Sequence, residues 1–181
     1  AMSGITLTID GKSVAAEKGQ TILKAAEGAG IYIPRLCAYK DLIPHGSCRV
    51  CSVRVNGRIQ AACVQTVSDG AIVENETAEL QEYRRNIIDL LFVEGNHFCM
   101  YCEKSGACEM QALAYRFGIQ APRYRFLYTK GEIDISHPAV YLDHNRGHQA
   151  ARCCRALQHQ DPRPDYRFDE RGTGPGSKEN E

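Results

Sequence analysis

The sequence predicts an α+β fold: a small mixed sheet carrying one short helix, followed by a helical segment. Three observations lead there. Two hairpin signals bracket a short apolar-faced run within the first seventy residues, two further runs follow at helical spacing, and seven of nine cysteines fall between or beside these elements.

The elements follow in order. Ile5, Leu7 and Ile9 alternate with Thr6 and Thr8, and Asp10-Gly11 comes next, so a strand enters a tight turn and Lys12 to Ala16 returns from it. Thr21 to Gly30 carries Ile22, Leu23, Ala25, Ala26 and Ala29, with Gly28 and Gly30 near its end, which reads as a short helix closed by glycine. Val53 to Val55 and Ile59 to Cys63, joined by Asn56-Gly57, form the second hairpin. Thr77 is the expected N-cap of a longer helix, with Glu79 in its first turn. Leu80, Tyr83, Ile87, Leu90 and Leu91 recur at helical spacing to about Glu94, and Gly95 ends the run. A last helix is predicted over Gly106 to Phe117, with Met110, Leu113, Ala114 and Phe117 on its apolar face.

Composition narrows the function. The 22 basic and 22 acidic side chains cancel, which gives a nucleic-acid partner no support. No apolar stretch is long enough for a membrane span, and Ala1–Met2–Ser3–Gly4 lacks the pattern of a signal peptide, so a cytoplasmic location is expected. No nucleophile–base pair, phosphate loop or dinucleotide fingerprint occurs, and no catalytic residue is predicted. The nine cysteines are at positions 37, 48, 51, 63, 99, 102, 108, 153 and 154. A reducing compartment disfavours disulfides, the count is odd, and two pairs have C-x2-C spacing, so metal binding is the expected use.

Cys37, Cys48, Cys51 and Cys63 form the first group, C-x10-C-x2-C-x11-C. Gly46 and Ser47 lie where the chain must curl and aim N–H groups at a ligand. Four thiolates suit tetrahedral zinc or a [2Fe–2S] cluster, although zinc sites favour two compact knuckles and only one close pair is present. His97, Cys99, Cys102 and Cys108 form the second group, H-x-C-x2-C-x5-C, with Cys108 opening the last helix. Taken by itself, three thiolates and an imidazole in twelve residues also fit zinc of the Cys3His type.

The flanking residues carry a resemblance. Tyr32-Ile33-Pro34-Arg35-Leu36-Cys37 and Gly46-Ser47-Cys48-Arg49-Val50-Cys51 resemble the N-terminal ferredoxin-like domain of the complex I 75-kDa subunit family. Glu94-Gly95-Asn96-His97-Phe98-Cys99 and Cys102-Glu103-Lys104-Ser105-Gly106-Ala107-Cys108-Glu109-Met110-Gln111 are similar to a narrower branch, the small iron–sulfur subunit of the diaphorase module of NAD-reducing [NiFe] hydrogenases. The resemblance implies a β-grasp [2Fe–2S] domain with Cys37, Cys48, Cys51 and Cys63 as ligands. It also implies a small helical domain holding a [4Fe–4S] cluster on His97, Cys99, Cys102 and Cys108. The wider family spaces its ligands H-x3-C, whereas one residue separates His97 from Cys99 here, as in the hydrogenase branch.

The expected organisation is a [2Fe–2S] domain over 1–78, a [4Fe–4S] domain over 79–118 and a connecting or interface segment over 119–146. In the last of these, Arg123, Tyr124, Arg125, Phe126 and Tyr128 follow Arg116 as a basic, aromatic stretch suited to an interface. Val140-Tyr141-Leu142-Asp143-His144-Asn145-Arg146 resembles the start of the ferredoxin-like module that follows in the hydrogenase branch. At the places of that module's next four cysteines stand Gly147, Ala150, Cys153 and Leu157, so 147–181 is expected to be a degenerate or truncated remnant, poorly ordered alone.

The resemblance implies an electron-transfer subunit. Electrons would run between a flavin/NAD(H)-binding diaphorase subunit and a hydrogenase small subunit, and through it the NiFe large subunit. An equivalent subunit of a NAD-dependent formate dehydrogenase or of complex I is the alternative host, and a zinc-stabilised interaction module is the alternative of another class.

Overall fold

The computed structural model describes residues 4–39, 42–102, 104–126, 133–135 and 142–143. The chain divides into two compact units, Ala1–Ile87 and Ile88–Glu181, with one helix continuous through the division.

In the first unit, strands β1 (Ile5–Ile9) and β2 (Lys12–Ala16) form the predicted hairpin, with Ile5 opposite Ala16 and Ile9 opposite Lys12. Both turn residues have positive φ, 47° at Asp10 and 79° at Gly11, the combination a tight two-residue hairpin turn requires. Leu7, Ile9, Val14 and Ala16 point inward, as the period-2 pattern demands. Helix α1 (Ile22–Gly28) starts at Thr21, whose hydroxyl accepts from the Lys24 N–H. It ends in a glycine closure: Gly30 (φ 70°) donates to the Glu27 carbonyl, and Ile31 to that of Ala26. Ile22, Leu23, Ala25 and Ala26 form its buried face.

Strands β3 (Ser52–Val55) and β4 (Arg58–Ala61) form the second hairpin on an Asn56-Gly57 turn of the same positive-φ kind. The strand stops at Ala61, so Cys63 lies in the turn beyond the hairpin rather than at its end as expected. Strand β5 (Ile72–Glu74) was not predicted, yet it is the middle strand of the sheet, whose order is β2-β1-β5-β3-β4. It pairs parallel with β1 and antiparallel with β3, joining the two hairpins into one mixed sheet. This is the α+β, ferredoxin-like arrangement that the residue pattern and the resemblance implied. The core gathers apolar residues from all five strands and α1, and Cys51 and Cys63 belong to it.

Helix α2 (Ala78–Glu94) begins at Thr77, whose hydroxyl accepts from the Leu80 N–H at 3.3 Å. Its buried positions depart from the predicted stripe: Tyr83 and Leu90 are exposed, whereas Leu80, Arg84, Ile88 and Asp89 are fully buried. In the second unit, Cys99–Tyr101 form a single 3-10 turn. Helix α3 (Glu109–Arg116) starts three residues later than expected, with Cys108 at its N-cap. Met110, Leu113 and Ala114 are buried, and Gly118 (φ 64°) closes the helix by donating to the Tyr115 carbonyl. Two short paired strands, β6 (Ile133–Asp134) and β7 (Leu142–Asp143), complete the description. Lys40, Asp41, Tyr128, Cys153, Cys154 and the remnant segment 147–181 lie outside the described residues.

Leu7→Ala should destabilise the chain by about 2–5 kcal/mol, because Leu7 is buried in the core on β1. Ile72→Ala, on the exposed side of β5, should change stability by less than about 0.5 kcal/mol. Chemical denaturation of the two variants measures both, and equal losses would refute the register described for β5.

Candidate metal centres

Three chain segments bring the first cysteine group together. Cys37 follows the irregular run Tyr32 to Leu36, Cys48 precedes a tight turn that contains Cys51, and Cys63 lies in the turn after β4. The four side chains are buried. Ala62 donates its N–H to the Cys51 carbonyl at 3.1 Å, so the backbones beside Cys51 and Cys63 are tied directly. The Cys37 N–H points at the Cys48 sulfur, 3.3 Å away. Helix α1 is anchored on the same turn: Ile22 and Leu23 donate to the carbonyls of Gln65 and Ala62.

The thiols share protons in this dry setting. Hydrogen bonds from Cys48, then Cys63, pull Cys37 well below the ordinary thiol range, and burial opposes them without prevailing. A hydrogen bond with Cys63 lowers Cys51 in the same way. Cys48 is pushed up mainly by donating to Cys37, and Cys63 by donating to Cys37 and Cys51. Four thiolates brought together in such a setting require cations among them. Among the described residues, no three His, Cys, Asp or Glu side chains converge as ligands of a single metal ion. A two-iron cluster takes four thiolates over two irons, so its ligands need not share one focus. The donor set, its burial and the inward Cys37 N–H fit such a group.

Gly46 shapes the loop. Its φ is 68°, and a Cβ there would lie 3.1 Å from Val64 Cγ2 and 3.3 Å from Cγ1. Arg49 also has positive φ, 57°, in the turn between Cys48 and Cys51, and Ser52 closes that turn by donating its N–H and hydroxyl to the Arg49 carbonyl.

The second group is built differently. His97 is half-buried against Phe92, whose ring meets it edge-on at 5.2 Å. Its Nε2 lies 3.1 Å from the Leu91 carbonyl, and a carbonyl can only accept, so Nε2 carries the proton and Nδ1 keeps the lone pair of the neutral ring. Burial, the larger effect, lowers the His97 pKa, and the Leu91 carbonyl works against it. The neutral ring is the form that ligates a metal, and a backbone carbonyl on its other nitrogen is the usual orienting partner. The cysteines follow in short turns: Cys99 donates to the His97 carbonyl, Ser105 to that of Cys102, and Gly106 (φ 83°) to the Gln111 side chain. Cys99 and Cys108 are half-buried and Cys102 is exposed. These four side chains are neighbours along the chain and do not converge on one point.

Two features went unnoticed in the sequence. Asp89 is fully buried and accepts from Arg123 Nε at 2.6 Å, so Arg123, read as an interface residue, has a structural partner within its own unit. Arg84 is buried in a network with Ser52 and Asn75. The available signal was position: Arg84 follows Leu80 by one helical turn, on the stripe that points inward.

Gly46→Ala should lower stability by about 1–2 kcal/mol from the left-handed backbone alone, with the Val64 contact added to it. Adding Val64→Ala should recover only the contact part. Thermal unfolding of the single and double variants checks this, and full recovery in the double variant would show that backbone strain is absent.

Two protein-family models match the chain: a 2Fe-2S iron–sulfur cluster binding domain over residues 3–78, and the NADH-ubiquinone oxidoreductase-G iron–sulfur binding region, of the 4Fe-4S type, over residues 84–123. The chain is 41% identical over 154 residues to the gamma subunit of the NAD-reducing hydrogenase HoxS of Cupriavidus necator, spanning 85% of this chain and 66% of that one. It is 30% identical over 155 residues to the mitochondrial NADH-ubiquinone oxidoreductase 78 kDa subunit of Neurospora crassa, spanning 83% of this chain and 21% of that one. A crystal structure of an NAD+-reducing [NiFe]-hydrogenase in the H2-reduced state superposes with a TM-score of 0.79 at 45% identity, covering 86% of this chain and 67% of that one. With two cluster-binding regions in the order its cysteine groups predict, the chain belongs to the family of iron–sulfur subunits that NAD-reducing hydrogenases and complex I share.

Proposed function

We propose that this chain is an electron-transfer subunit in which Cys37, Cys48, Cys51 and Cys63 ligate a [2Fe–2S] cluster, and His97, Cys99, Cys102 and Cys108 ligate a [4Fe–4S] cluster. The observation that carries the reading is the set of four buried cysteines beside a ferredoxin-like sheet, with the Cys37 N–H aimed at the Cys48 sulfur. When bound, iron–sulfur clusters supply one-electron redox chemistry at potentials set by charge, hydrogen bonds and solvent exposure.

The protein's own residues do the rest. The sheet and α1 keep water from the first site, and the Cys37 N–H supplies a donor to its sulfur shell. Leu91 holds His97 in the tautomer that leaves Nδ1 to bind. An imidazole in place of a thiolate leaves the second centre less negative and raises its potential. The exposure of Cys102 leaves that centre open on one side, which suits exchange of electrons with another protein. By analogy with the hydrogenase relatives, the partners are a flavin/NAD(H)-binding diaphorase subunit and a hydrogenase small subunit, and through it the NiFe large subunit. The domain limits proposed are 1–78 for the first centre and 79–118 for the second, with 119–146 as a connecting or interface segment. Among the described residues, no helix is long and apolar enough to cross a membrane, and we place the complex in the cytoplasm.

Anaerobic reconstitution with iron and sulfide should give separate [2Fe–2S] and [4Fe–4S] signals in the EPR spectrum of the reduced chain. A colourless protein holding stoichiometric zinc would sink the reading in favour of a zinc-stabilised module. Cys102→Ser should abolish the [4Fe–4S] signal and spare the [2Fe–2S] one, while loss of both would argue against independent sites. Hydrogen-dependent NAD+ reduction by the co-purified complex identifies a hydrogenase host, and formate-dependent reduction or co-purification with complex I subunits rejects it.

A further inference from the structure

We propose that Arg84 is a positioning residue for the cysteine site of the first unit and a fixed positive charge that raises the potential of the cluster held there. The proposal rests on the [2Fe–2S] reading above. Arg84 lies on α2 with its side chain fully buried. Its Nε and Nη2 donate to the Ser52 carbonyl at 3.2 and 2.7 Å. Nη1 donates to the Asn75 carbonyl at 3.0 Å, and Nη2 to Asn75 Oδ1 at 2.7 Å.

Both acceptor residues lead directly to the cysteines. Ser52 is the residue after Cys51, so the guanidinium grips the chain as it leaves that side chain. Asn75, buried just after β5, donates its side-chain N–H to the Tyr32 carbonyl at 3.2 Å, on the irregular run that leads to Cys37. One cation thus ties the segment arriving at Cys37 to the segment departing from Cys51, through Asn75. The Cys51 carbonyl is held in turn by Ala62, next to Cys63, so the segments bearing Cys37, Cys51 and Cys63 share the network.

An arginine remains charged at any accessible pH, and its charge in a water-poor interior is screened less than at a surface. One-electron reduction adds a negative charge to the cluster, and a nearby fixed cation stabilises that state more than the oxidised one. A staple of purely mechanical importance would hold β3 to α2 without that bias. The potential separates the two roles.

The test is an EPR-monitored redox titration of the full chain, reconstituted anaerobically with iron and sulfide, in four forms. Besides the unsubstituted chain, Arg84→Gln removes the charge. Arg84→Lys keeps the charge but loses the fork of hydrogen bonds. Asn75→Asp keeps the guanidinium and its Ser52 bonds, sets a carboxylate against it and gives up the side-chain donor to Tyr32. Arg84→Gln and Asn75→Asp should each lower the [2Fe–2S] potential by about a tenfold change in the reduction equilibrium, roughly 59 mV for a one-electron couple. Arg84→Lys should stay near the unsubstituted chain while unfolding more easily. An unmoved potential in Asn75→Asp, or a shift in Arg84→Lys as large as in Arg84→Gln, overturns the proposal. If Arg84→Gln does not fold, Asn75→Asp decides alone. Absence of any [2Fe–2S] signal from the unsubstituted chain would overturn the underlying cluster reading instead.

Discussion

Four cysteine sulfurs held against one another in a dry interior constrain most of the first unit. Without cations among them, mutual hydrogen bonding holds Cys37 and Cys51 below the ordinary thiol range and pushes Cys48 and Cys63 above it. Holding such a set demands stiff backbone on every side, because a thiol that drifts leaves its neighbour's charge buried alone. The structure meets that demand with β-sheet ends. Cys51 precedes β3, Cys63 follows β4, and one backbone hydrogen bond from Ala62 to Cys51 ties the two. The loop before them turns at Gly46, where side-chain room and handedness both disfavour a larger residue.

The middle strand makes this possible. β5 is only three residues long, yet it joins two hairpins that would otherwise be separate two-stranded ribbons, which are marginal alone. It also carries Asn75 to its place beside Tyr32 and Arg84. Ser52, Asn75 and Arg84 therefore cluster where the sheet, the start of α2 and the cysteine segments meet, and their side-chain hydrogen bonds are made. A buried guanidinium satisfied in this way is rigid, since losing any one partner costs about 1–3 kcal/mol.

The second unit follows other physics. Its cysteine segment has few apolar residues to bury, and short turns rather than strands hold it. Phe98, Met100 and Tyr101 around Cys99 are exposed, while Met110, Leu113 and Ala114 of α3 are buried. His97 is better fixed than its neighbours because Leu91 and Phe92 grip the ring from α2. A site assembled from turns converges when its metal supplies the attraction that offsets thiolate repulsion.

Both hairpin turns were legible because Asp10-Gly11 and Asn56-Gly57 use the two-residue chemistry that positive φ requires. The helix starts at Thr21 and Thr77 were legible because a hydroxyl there meets a bare N–H. Cysteine spacing and flanking residues, read together, identified both groups and the family. Those are local facts, decided within a few residues. β5 escaped notice because three residues cannot display a period, and its strand character comes from partners remote along the chain, in β1 and β3. Tyr83 and Leu90 escaped because several angular stripes on α2 are apolar, and only packing selects the one through Leu80, Arg84 and Ile88. The sequence by itself determined which residues turn, cap and bear sulfur, since each depends on its own side chain and backbone. The tertiary structure alone decided which cysteines are buried together and which buried guanidinium braces their segments, since those depend on distances between segments remote along the chain.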